Sequence, residues 1–384
     1  VSCQITGSQG SQQQLQQNQM TGPEHDRTAV TVSRHLITHS ADGPDLARGT
    51  PVTRIPPVES SATIGIPVMT LFYSDPCFQR HQTGEHPECP IRVAVLEQHL
   101  QRTGLLERVT RCPVTPAADA DLQLVHSTEH LQELRRFAAA GGGRIEADTV
   151  LCPESADVAW LAAGTAIDAV RRVLSGEDYT AFCAVRPPGH HALASAPMGF
   201  CLLGNAAAAA AAAIHRFGLS RVLVVDWDVH HGNGTQDIFY DDGRVGFLSS
   251  HRFPFYPGTG RRDEIGSGDG LGTTFNLPVA FGTPRQQFLQ DFSALLSSAA
   301  DRIRPELIII SAGFDAHAED PIGSLGLETE DFEALTRAVL DVAKVHSAGR
   351  VVSVLEGGYN PARLAESAGL HLQTLLNFPT TSAP

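Results

Sequence analysis

Cysteine is scarce in this sequence and follows no pattern. The seven cysteines are scattered along 384 residues, are odd in number and form no Cys-x-x-Cys motif. This usage indicates neither a disulfide framework nor a thiolate zinc site, and it fits a reducing, cytoplasmic compartment best. The cysteines are Cys3, Cys77, Cys89, Cys112, Cys152, Cys183 and Cys201.

Long hydrophobic runs are missing as well. The longest one, residues 205–214, is nearly all alanine and is too short to span a bilayer. No charged and then apolar segment typical of a signal peptide opens the chain. We therefore expect no membrane association.

Positive charge is in deficit. Lysine and arginine together number 28 against 42 aspartates and glutamates, which gives a formal net charge of −14. An acidic surface argues against direct nucleic acid binding. It is compatible with cationic substrates, although ordinary solubility accounts for it equally well.

The composition changes near residue 65. Residues 1–65 open with a glutamine-rich, low-complexity segment and show no sustained periodicity, which is typical of a disordered or loosely ordered extension. Residues 66–378 contain the apolar segments of a folded domain. The length suits one large α/β domain with extra loops, or two smaller domains.

Continuously apolar segments alternate with helical patterns along the folded part. Such strands, alternating with helices, predict a mostly parallel sheet covered by helices on both faces. Ser127 is the predicted N-cap of a helix. The predicted strands cover residues 66–73, 179–185, 221–226, 245–249, 306–311 and 350–355, and the predicted helices cover 92–103, 126–140, 155–175, 206–217, 284–303, 328–347 and 361–376.

The segment 222–240 concentrates charge where a predicted strand ends. Asp226, Asp228 and His230 occupy every second position after the apolar run 222–225. In an extended chain alternate side chains point the same way, so these three emerge together. Burying two carboxylates is costly without a cation, and the set suits zinc or another first-row metal.

Three more polar clusters follow predicted strands, at residues 186–192, 313–317 and 356–360. The carboxyl ends of parallel strands form one edge of a sheet, where ligands bind. Each cluster alone has an ordinary structural explanation: paired histidines are often structural, Asp315 could cap a helix, and Tyr359 could lie in the core. Together the four clusters indicate one functional site.

These segments resemble the zinc-dependent histone deacetylase family, specifically the class II-like branch that includes bacterial histone deacetylase-like amidohydrolases. The resemblance covers residues 68–376. It implies the arginase/deacetylase three-layer fold, with a central, mostly parallel sheet between layers of helices. It also implies a hydrolase that removes acyl groups from amines.

The resemblance assigns roles to the clustered residues. Asp228, His230 and Asp315 match the zinc ligands. His191 matches the general base and acid, and His190 matches the histidine that gives electrostatic support. The remaining matches are Asp226 as the partner of His190, Asn233 as the partner of His191, and Tyr359 as the donor to the substrate carbonyl oxygen.

Some of these residues also indicate the branch. Asn233 stands where class I relatives have Asp, and Glu356 stands where glycine is common in class I. Tyr359 implies real activity on acetyl groups, because poorly active class IIa relatives have His there. Leu151 stands where class I relatives have an aspartate that holds the substrate backbone, so substrate recognition must differ.

The resemblance also places the substrate tunnel. Gly199 and Phe200 match one wall and Tyr256 the other, where a Phe is usual. Ile322 matches the residue at the tunnel mouth, which is apolar in lysine deacetylases and Glu in polyamine-preferring relatives. Ile322 therefore favours acyl-lysine proteins or peptides over small acylated amines.

Potassium sites are a further implication of the resemblance. An inner site would use Asp226, Asp228, His230, Ser249 and Ser250, and an outer site would use Phe239, Asp242 and Val245.

Three alternatives stay open at this stage, and the oligomeric state is open too. The first keeps the chemistry but takes acetylpolyamines. The second is an arginase-like binuclear manganese ureohydrolase, which expects a carboxylate where this chain has Gly232. The third is a non-catalytic acyl-lysine binding module.

Overall fold

The computed structural model describes residues 69–378, and the predicted extension over residues 1–65 lies outside them. Within this range eight parallel strands form one sheet in the order β2-β1-β5-β10-β9-β6-β7-β8, and β3 pairs with β4 in a small antiparallel hairpin. The strands are β1 Leu71–Tyr73, β2 Thr110–Arg111, β3 Gly143–Arg144, β4 Val150–Leu151, β5 Thr180–Cys183, β6 Val222–Asp226, β7 Val245–Arg252, β8 Thr274–Val279, β9 Leu307–Ala312 and β10 Val351–Leu355.

Helices cover both faces of the sheet. Helices α4 and α5 pack together on one face, while α1, α9, α8 and α7 pack side by side on the other. This gives the three layers that the sequence predicts. The helices are α1 Ile91–Arg102, α2 Asp119–Leu122, α3 Thr128–Ala139, α4 Ser155–Leu174, α5 Asn205–His215, α6 Asn233–Phe239, α7 Arg285–Ile303, α8 Thr329–His346 and α9 Pro361–Leu376.

The central strands are apolar on both sides because both sides are covered. All six residues of β9 and all five of β10 are buried. The alanines of α5 are buried as well, and their small side chains let this helix approach the sheet closely. None of the helices within residues 69–378 is long and apolar enough to cross a membrane.

Most predicted elements are present, and their ends shift by only a few residues. The side chain of Ser127 accepts a hydrogen bond from the backbone N–H of His130 at 3.1 Å, as expected of the N-cap of α3. Strands β2, β3, β4 and β8 and helices α2 and α6 are not among the predicted elements. Strand β8 includes partly buried positions and Pro278, so its alternation is weak, and pairing with β7 along six residues defines it.

Candidate active site

Four neighbouring strands carry the four polar clusters. Strands β5, β10, β9 and β6 are adjacent at the middle of the sheet, and each runs directly into one cluster at its carboxyl end. Because the strands are parallel, these ends share one edge. The sheet therefore brings together residues that lie up to about 170 positions apart in the chain, such as Gly189 and Glu356, whose backbone N–H and carboxylate are 2.6 Å apart.

Asp228, His230 and Asp315 form a compact buried cluster. Their ligand atoms all lie within 4.8 Å of one another. Nδ1 of His230 is 2.9 Å from Oδ1 of Asp228 and 3.3 Å from Oδ2 of Asp315. One imidazole nitrogen thus faces two carboxylates, which is the arrangement of a three-ligand metal site with a position left open.

The hydrogen bonds of this cluster leave one oxygen free. Asp228 accepts from the backbone N–H groups of His230 and Gly357, each at 2.9 Å. Asp315 accepts at Oδ1 from the N–H of Val229 at 2.9 Å, but its buried Oδ2 has no hydrogen-bond partner. A buried carboxylate oxygen without a donor is costly, so the donor set fits a cation at this point.

The ionisation of the cluster leads to the same conclusion. Burial raises the pKa of Asp315 to about 7, and the charge of Asp228 adds to this. Burial lowers the pKa of His230, but the hydrogen bond to Asp228 and the nearby carboxylate of Asp315 outweigh it and raise the pKa to about 9. Positive charge is favoured between the two carboxylates, whether a proton or a metal ion supplies it.

Two glycines allow the carboxylates to sit this close to the backbone. A Cβ atom on Gly357 would collide with the carboxylates of Asp315 and Asp228, and one on Gly313 would collide with Asp228. Any other residue at either position would displace a ligand.

His190 is held in its charged form. Its Nδ1–H donates to Oδ2 of Asp226 at 2.9 Å, and its Nε2 lies 3.8 Å from Oδ1 of Asp228. Burial lowers the pKa of His190, but Asp226, Asp228 and Glu356 outweigh it and raise the pKa to about 10. The raised pKa favours the protonated, imidazolium form of His190 at neutral pH.

His191 is held in its neutral form. Its Nδ1–H donates to Oδ1 of Asn233 at 2.7 Å, which leaves Nε2 free to accept a proton. Burial lowers the pKa of His191 well below the ordinary value, and the charges of His190 and His230 lower it further. The two rings are only 4.0 Å apart between centroids, so each charge state supports the other.

Tyr359 lies in the segment that follows β10 and is buried at the same edge of the sheet. Its ring packs edge-on against Phe200, with centroids 5.6 Å apart, and its backbone N–H donates to Oδ2 of Asp320 at 2.6 Å. The guanidinium of Arg92 lies 5.0 Å from the ring centroid. Burial raises the pKa of the Tyr359 hydroxyl well above the ordinary value, and the charges of Asp315 and Asp228 add to this.

Two of the predicted wall residues, Tyr256 and Gly199, lie against His191. The Tyr256 ring is perpendicular to that of His191 at 5.2 Å. Gly199 and Phe200 both adopt positive φ, of 55° and 68°, and a Cβ on Gly199 would collide with the His191 ring. Ile322 is half-buried, and its backbone N–H donates to Oδ1 of Asp320 at 2.9 Å.

Several contacts near the site were not foreseen from the sequence. Phe255 stacks on the ring of His230 at 5.3 Å, and the guanidinium of Arg252 lies 4.2 Å over Phe255. Thr149 accepts from the backbone N–H of Phe200 at 3.1 Å, and His86 packs on the Phe200 ring at 4.5 Å. Of these residues, only Phe255 could have been expected near the site from the sequence, because it directly precedes the predicted wall residue Tyr256.

The residues predicted for potassium lie on adjacent strands or close to them. Asp226 on β6 is paired in register with Ser249 on β7, and the hydroxyl of the neighbouring Ser250 is buried without a hydrogen-bond partner. The backbone of the outer group forms a turn in which Asp242 donates to the Phe239 carbonyl at 3.1 Å and Val245 donates to the Asp242 carbonyl at 3.3 Å. Both sites stay predictions.

The fold and the site define a hydrolytic deacetylase. The sequence matches the histone deacetylase domain family over residues 86–375. It is 41% identical over 280 residues to a histone deacetylase-like amidohydrolase of Pseudomonas aeruginosa, covering 72% of this chain and 73% of that protein. The chain belongs to the histone deacetylase family.

Two further relatives bear on structure and substrate. The solved structure of the HDA15 HD domain matches with a TM-score of 0.76 and 33% identity, covering 82% of this chain and 91% of that one. The human polyamine deacetylase HDAC10 is 39% identical over 311 residues, covering 77% of this chain and 46% of that protein.

Proposed function

We propose that this protein is a zinc-dependent amidohydrolase that removes acetyl and related acyl groups from lysine side chains of proteins or peptides. The observation that carries the proposal is the buried cluster of Asp228, His230 and Asp315, with an unpartnered carboxylate oxygen, beside two histidines of opposite charge preference. We also propose a cytoplasmic location, since the six cysteines within residues 69–378 are all free thiols.

Asp228, His230 and Asp315 would hold the zinc ion. Zinc bound there would polarise the amide carbonyl and make water more acidic. Asp228 and Asp315 are each fixed by backbone N–H donors, so the ligands are oriented before the metal binds.

His191 is the residue that moves protons. Because Asn233 accepts the Nδ1 proton, Nε2 of His191 accepts a proton from the attacking water and later returns it to the leaving amine. The low pKa of His191 keeps the ring neutral before the reaction begins. Asn233 orients the ring without adding the charge that a carboxylate would add.

His190 and Tyr359 stabilise the negative charge that develops on the substrate. The imidazolium of His190 is paired with Asp226 and faces Asp228, and it supplies fixed positive charge in a site shielded from water. Tyr359 keeps its proton because of its raised pKa, and it donates that proton in a hydrogen bond to the substrate carbonyl oxygen.

The substrate class follows from the tunnel lining. Phe200 and Tyr256 supply apolar ring faces that suit the uncharged alkyl chain of an acylated lysine. Ile322 gives the mouth no charge that would attract a distal ammonium group. We therefore place acyl-lysine first.

Acetylpolyamines are the second candidate. The 39% identity to a human protein named as a polyamine deacetylase favours them, and so does the net charge of −14. The feature that separates the two candidates is the residue at the position of Ile322.

A substrate panel on zinc-loaded enzyme tests the proposal. We expect a higher kcat/KM for an acetyl-lysine peptide than for N-acetylputrescine or N8-acetylspermidine. Ile322→Glu should raise kcat/KM for the acetylpolyamines by about tenfold or more, whereas Ile322→Gln, of similar size but uncharged, should not. A large preference of the wild type for the polyamines would reverse our assignment.

Metal counting tests the chemistry separately. Native mass spectrometry should find one zinc ion per chain, and chelation should abolish hydrolysis until zinc is restored. Two tightly bound transition-metal ions would instead indicate the binuclear ureohydrolase. A zinc-loaded protein that hydrolyses none of the substrates would indicate an acyl-lysine binding module.

A further inference from the structure

We propose that Glu88 is a positioning residue that joins the two active-site segments into one frame: residues 186–191, which end in His190 and His191, and residues 356–360, which carry Tyr359. Its effect on catalysis rests on the proposed function, but the mechanical coupling of the two segments does not. Glu88 lies in the loop before α1, in a group of His, Glu and Arg residues that the assigned chemistry does not use.

Glu88 is a buried carboxylate shared by two arginines. Its Oε1 accepts from Arg92 Nη1 at 2.9 Å and from Arg186 Nε at 2.5 Å, and its Oε2 accepts from Arg186 Nη2 at 2.6 Å. All three side chains are fully buried. Burial alone would raise the pKa of Glu88, but Arg186 and Arg92 hold it well below the ordinary value, so the carboxylate is ionised.

Arg92 connects this carboxylate to the segment of Tyr359. Its Nε donates to the carbonyl of Gly358 at 2.6 Å, and its Nη2 donates to the carbonyl of Glu356 at 2.5 Å. Its guanidinium also lies 5.0 Å from the ring centroid of Tyr359. The planar fork of an arginine fixes both carbonyls at once, which a lysine cannot do.

Arg186 connects the same carboxylate to the segment of the paired histidines. It is the first residue of that segment, and its remaining donors bond the carbonyls of Phe78 at 2.8 Å and His81 at 3.2 Å. The start of the histidine segment is therefore fixed to the loop that carries Glu88.

Glu356 completes the ring. Its backbone carbonyl is held by Arg92, while its carboxylate accepts from the N–H of Gly189 at 2.6 Å and from that of His190 at 3.2 Å. These contacts form a closed ring. Glu88 binds Arg92, Arg92 binds Glu356, and Glu356 binds the histidine segment. That segment begins with Arg186, which binds Glu88 again. A shift of either segment strains the other, since every link is buried and bonded.

Amide hydrogen exchange on the zinc-loaded protein tests the coupling directly. We expect Glu88→Gln to speed exchange by about tenfold or more in both segments, because opening becomes easier. The sharper variant is Arg92→Lys, which removes hydrogen bonds to residues 356–360 and alters the bond to Glu88, but changes no direct contact with residues 186–191. The ring predicts faster exchange in residues 186–191 as well, and Arg186→Lys should loosen residues 356–360 in the same reciprocal way.

Asp168→Asn is the control, because Asp168 is another carboxylate that two arginines share. Asp168 accepts from Arg171 and Arg172 and from the hydroxyl of Tyr73, and these partners lie outside both segments. Asp168→Asn should lower Tm without changing exchange in either segment. The proposal would be overturned if Arg92→Lys exchanged faster only in residues 356–360. It would also be overturned if Glu88→Gln left the exchange rates of both segments unchanged.

Kinetics then test the consequence for catalysis. Glu88→Gln should lower kcat by roughly a hundredfold with KM nearly unchanged, because small misplacements of catalytic groups have effects of this size. Combined with Tyr359→Phe, its effect on kcat should shrink, whereas a simple loss of folded protein would lower activity equally in both backgrounds. If Glu88→Gln does not fold, amide exchange in Arg92→Lys and Arg186→Lys tests the coupling instead. A wild type without deacetylase activity would refute the proposed function, and the exchange result would still decide the coupling.

Discussion

Two histidines that are adjacent in the chain have opposite ionisation preferences. His190 faces the carboxylate of Asp226 and is held charged, whereas His191 faces the amide of Asn233 and is held neutral. The difference arises from the partner of each Nδ1 atom. It gives one ring a fixed positive charge and leaves the other able to accept a proton.

The hydroxyl of Tyr359 supplies one hydrogen bond to the reacting carbonyl in the proposed mechanism. Tyr359→Phe should lower kcat by about a hundredfold to a thousandfold, as for the loss of an oxyanion donor, while the zinc content stays the same. Steady-state kinetics and metal analysis check this. Tyr73→Phe, which removes another buried tyrosine hydroxyl, should leave kcat unchanged. A Tyr359→Phe enzyme with wild-type turnover would contradict the assignment.

Asn233 should determine the pH at which His191 becomes a base. Asn233→Asp places a carboxylate 2.7 Å from Nδ1, which raises the pKa of His191 by about one to three units. Since the base must be unprotonated, the acidic limb of the kcat/KM profile should move to higher pH. Asn377→Asp, at the end of α9, adds the same charge elsewhere and should leave the profile in place, and an unmoved limb in Asn233→Asp would argue against His191 as the base.

At the scale of elements, strand ends and glycines determine how the site is assembled. Strands β9 and β6 are paired, so Asp315 and Asp228 emerge side by side, and the segment after β10 crosses directly over them. Only a residue without a side chain fits at this crossing. The close approach of this backbone segment to the carboxylates of Asp228 and Asp315 therefore depends on the missing side chain of Gly357 as much as on the carboxylates themselves.

Gly357→Ala tests this packing. The added Cβ would collide with the carboxylates of Asp228 and Asp315, so zinc affinity should fall by about tenfold to a hundredfold, as for other losses of ligand support. Competition with a chelator measures this. Gly104→Ala makes the same change in the turn after α1, where an added Cβ would meet nothing within 4 Å, and should keep zinc affinity close to the wild type. Unchanged zinc affinity in Gly357→Ala would show that the crossing tolerates a side chain.

At the scale of the whole molecule, many histidines are buried in neutral form. Burial lowers the pKa of His81 and His126 to about 4 and that of His371 to about 3. His371 connects α9 to β10 and α8 through hydrogen bonds to Ser353 at 2.9 Å and Thr336 at 2.7 Å. In the unfolded chain these histidines take up protons near pH 6.5.

The ionisation of these three histidines contributes a loss of stability in mild acid, whereas the buried carboxyl groups of Glu356 and Asp178, whose pKa values burial raises to about 7 and about 6, act in the opposite direction. As pH falls from about 6.5 to about 4, the unfolded chain binds more protons than the native one, so each such histidine lowers the free energy of unfolding by up to roughly 1.4 kcal/mol per pH unit. His190 and His230, whose pKa values are raised to about 10 and about 9, keep their full contribution in this range and do not offset the loss.

Urea unfolding at several pH values measures the effect. His371→Gln should flatten the pH dependence below pH 6.5 by up to roughly 1.4 kcal/mol per unit relative to the wild type. Gln373→His, at an exposed position of the same helix, should leave the slope unchanged. Identical slopes for wild type and His371→Gln would show that His371 is protonated without unfolding.

The sequence by itself determined the layered α/β architecture and the position of the site. Apolar runs and helical periodicity are local properties, and so are the alternation of Asp226, Asp228 and His230 and the polar clusters that follow strands. Parallel strands then require those clusters to meet at one edge. Local patterns therefore sufficed to find the elements and to group the residues that carry chemistry.

Only the tertiary structure decided how these residues are supported. Strand β8 exists because β7 pairs with it, and the stacking of Phe255 on His230 and the shared carboxylate of Glu88 join residues that are distant in the chain. Glu88 and Arg186 are 98 positions apart, and no local periodicity encodes such a pair. Long-range pairing and burial fix these contacts, and the partner that the fold places at each Nδ1 atom, Asp226 or Asn233, decides which of the two histidines carries the charge.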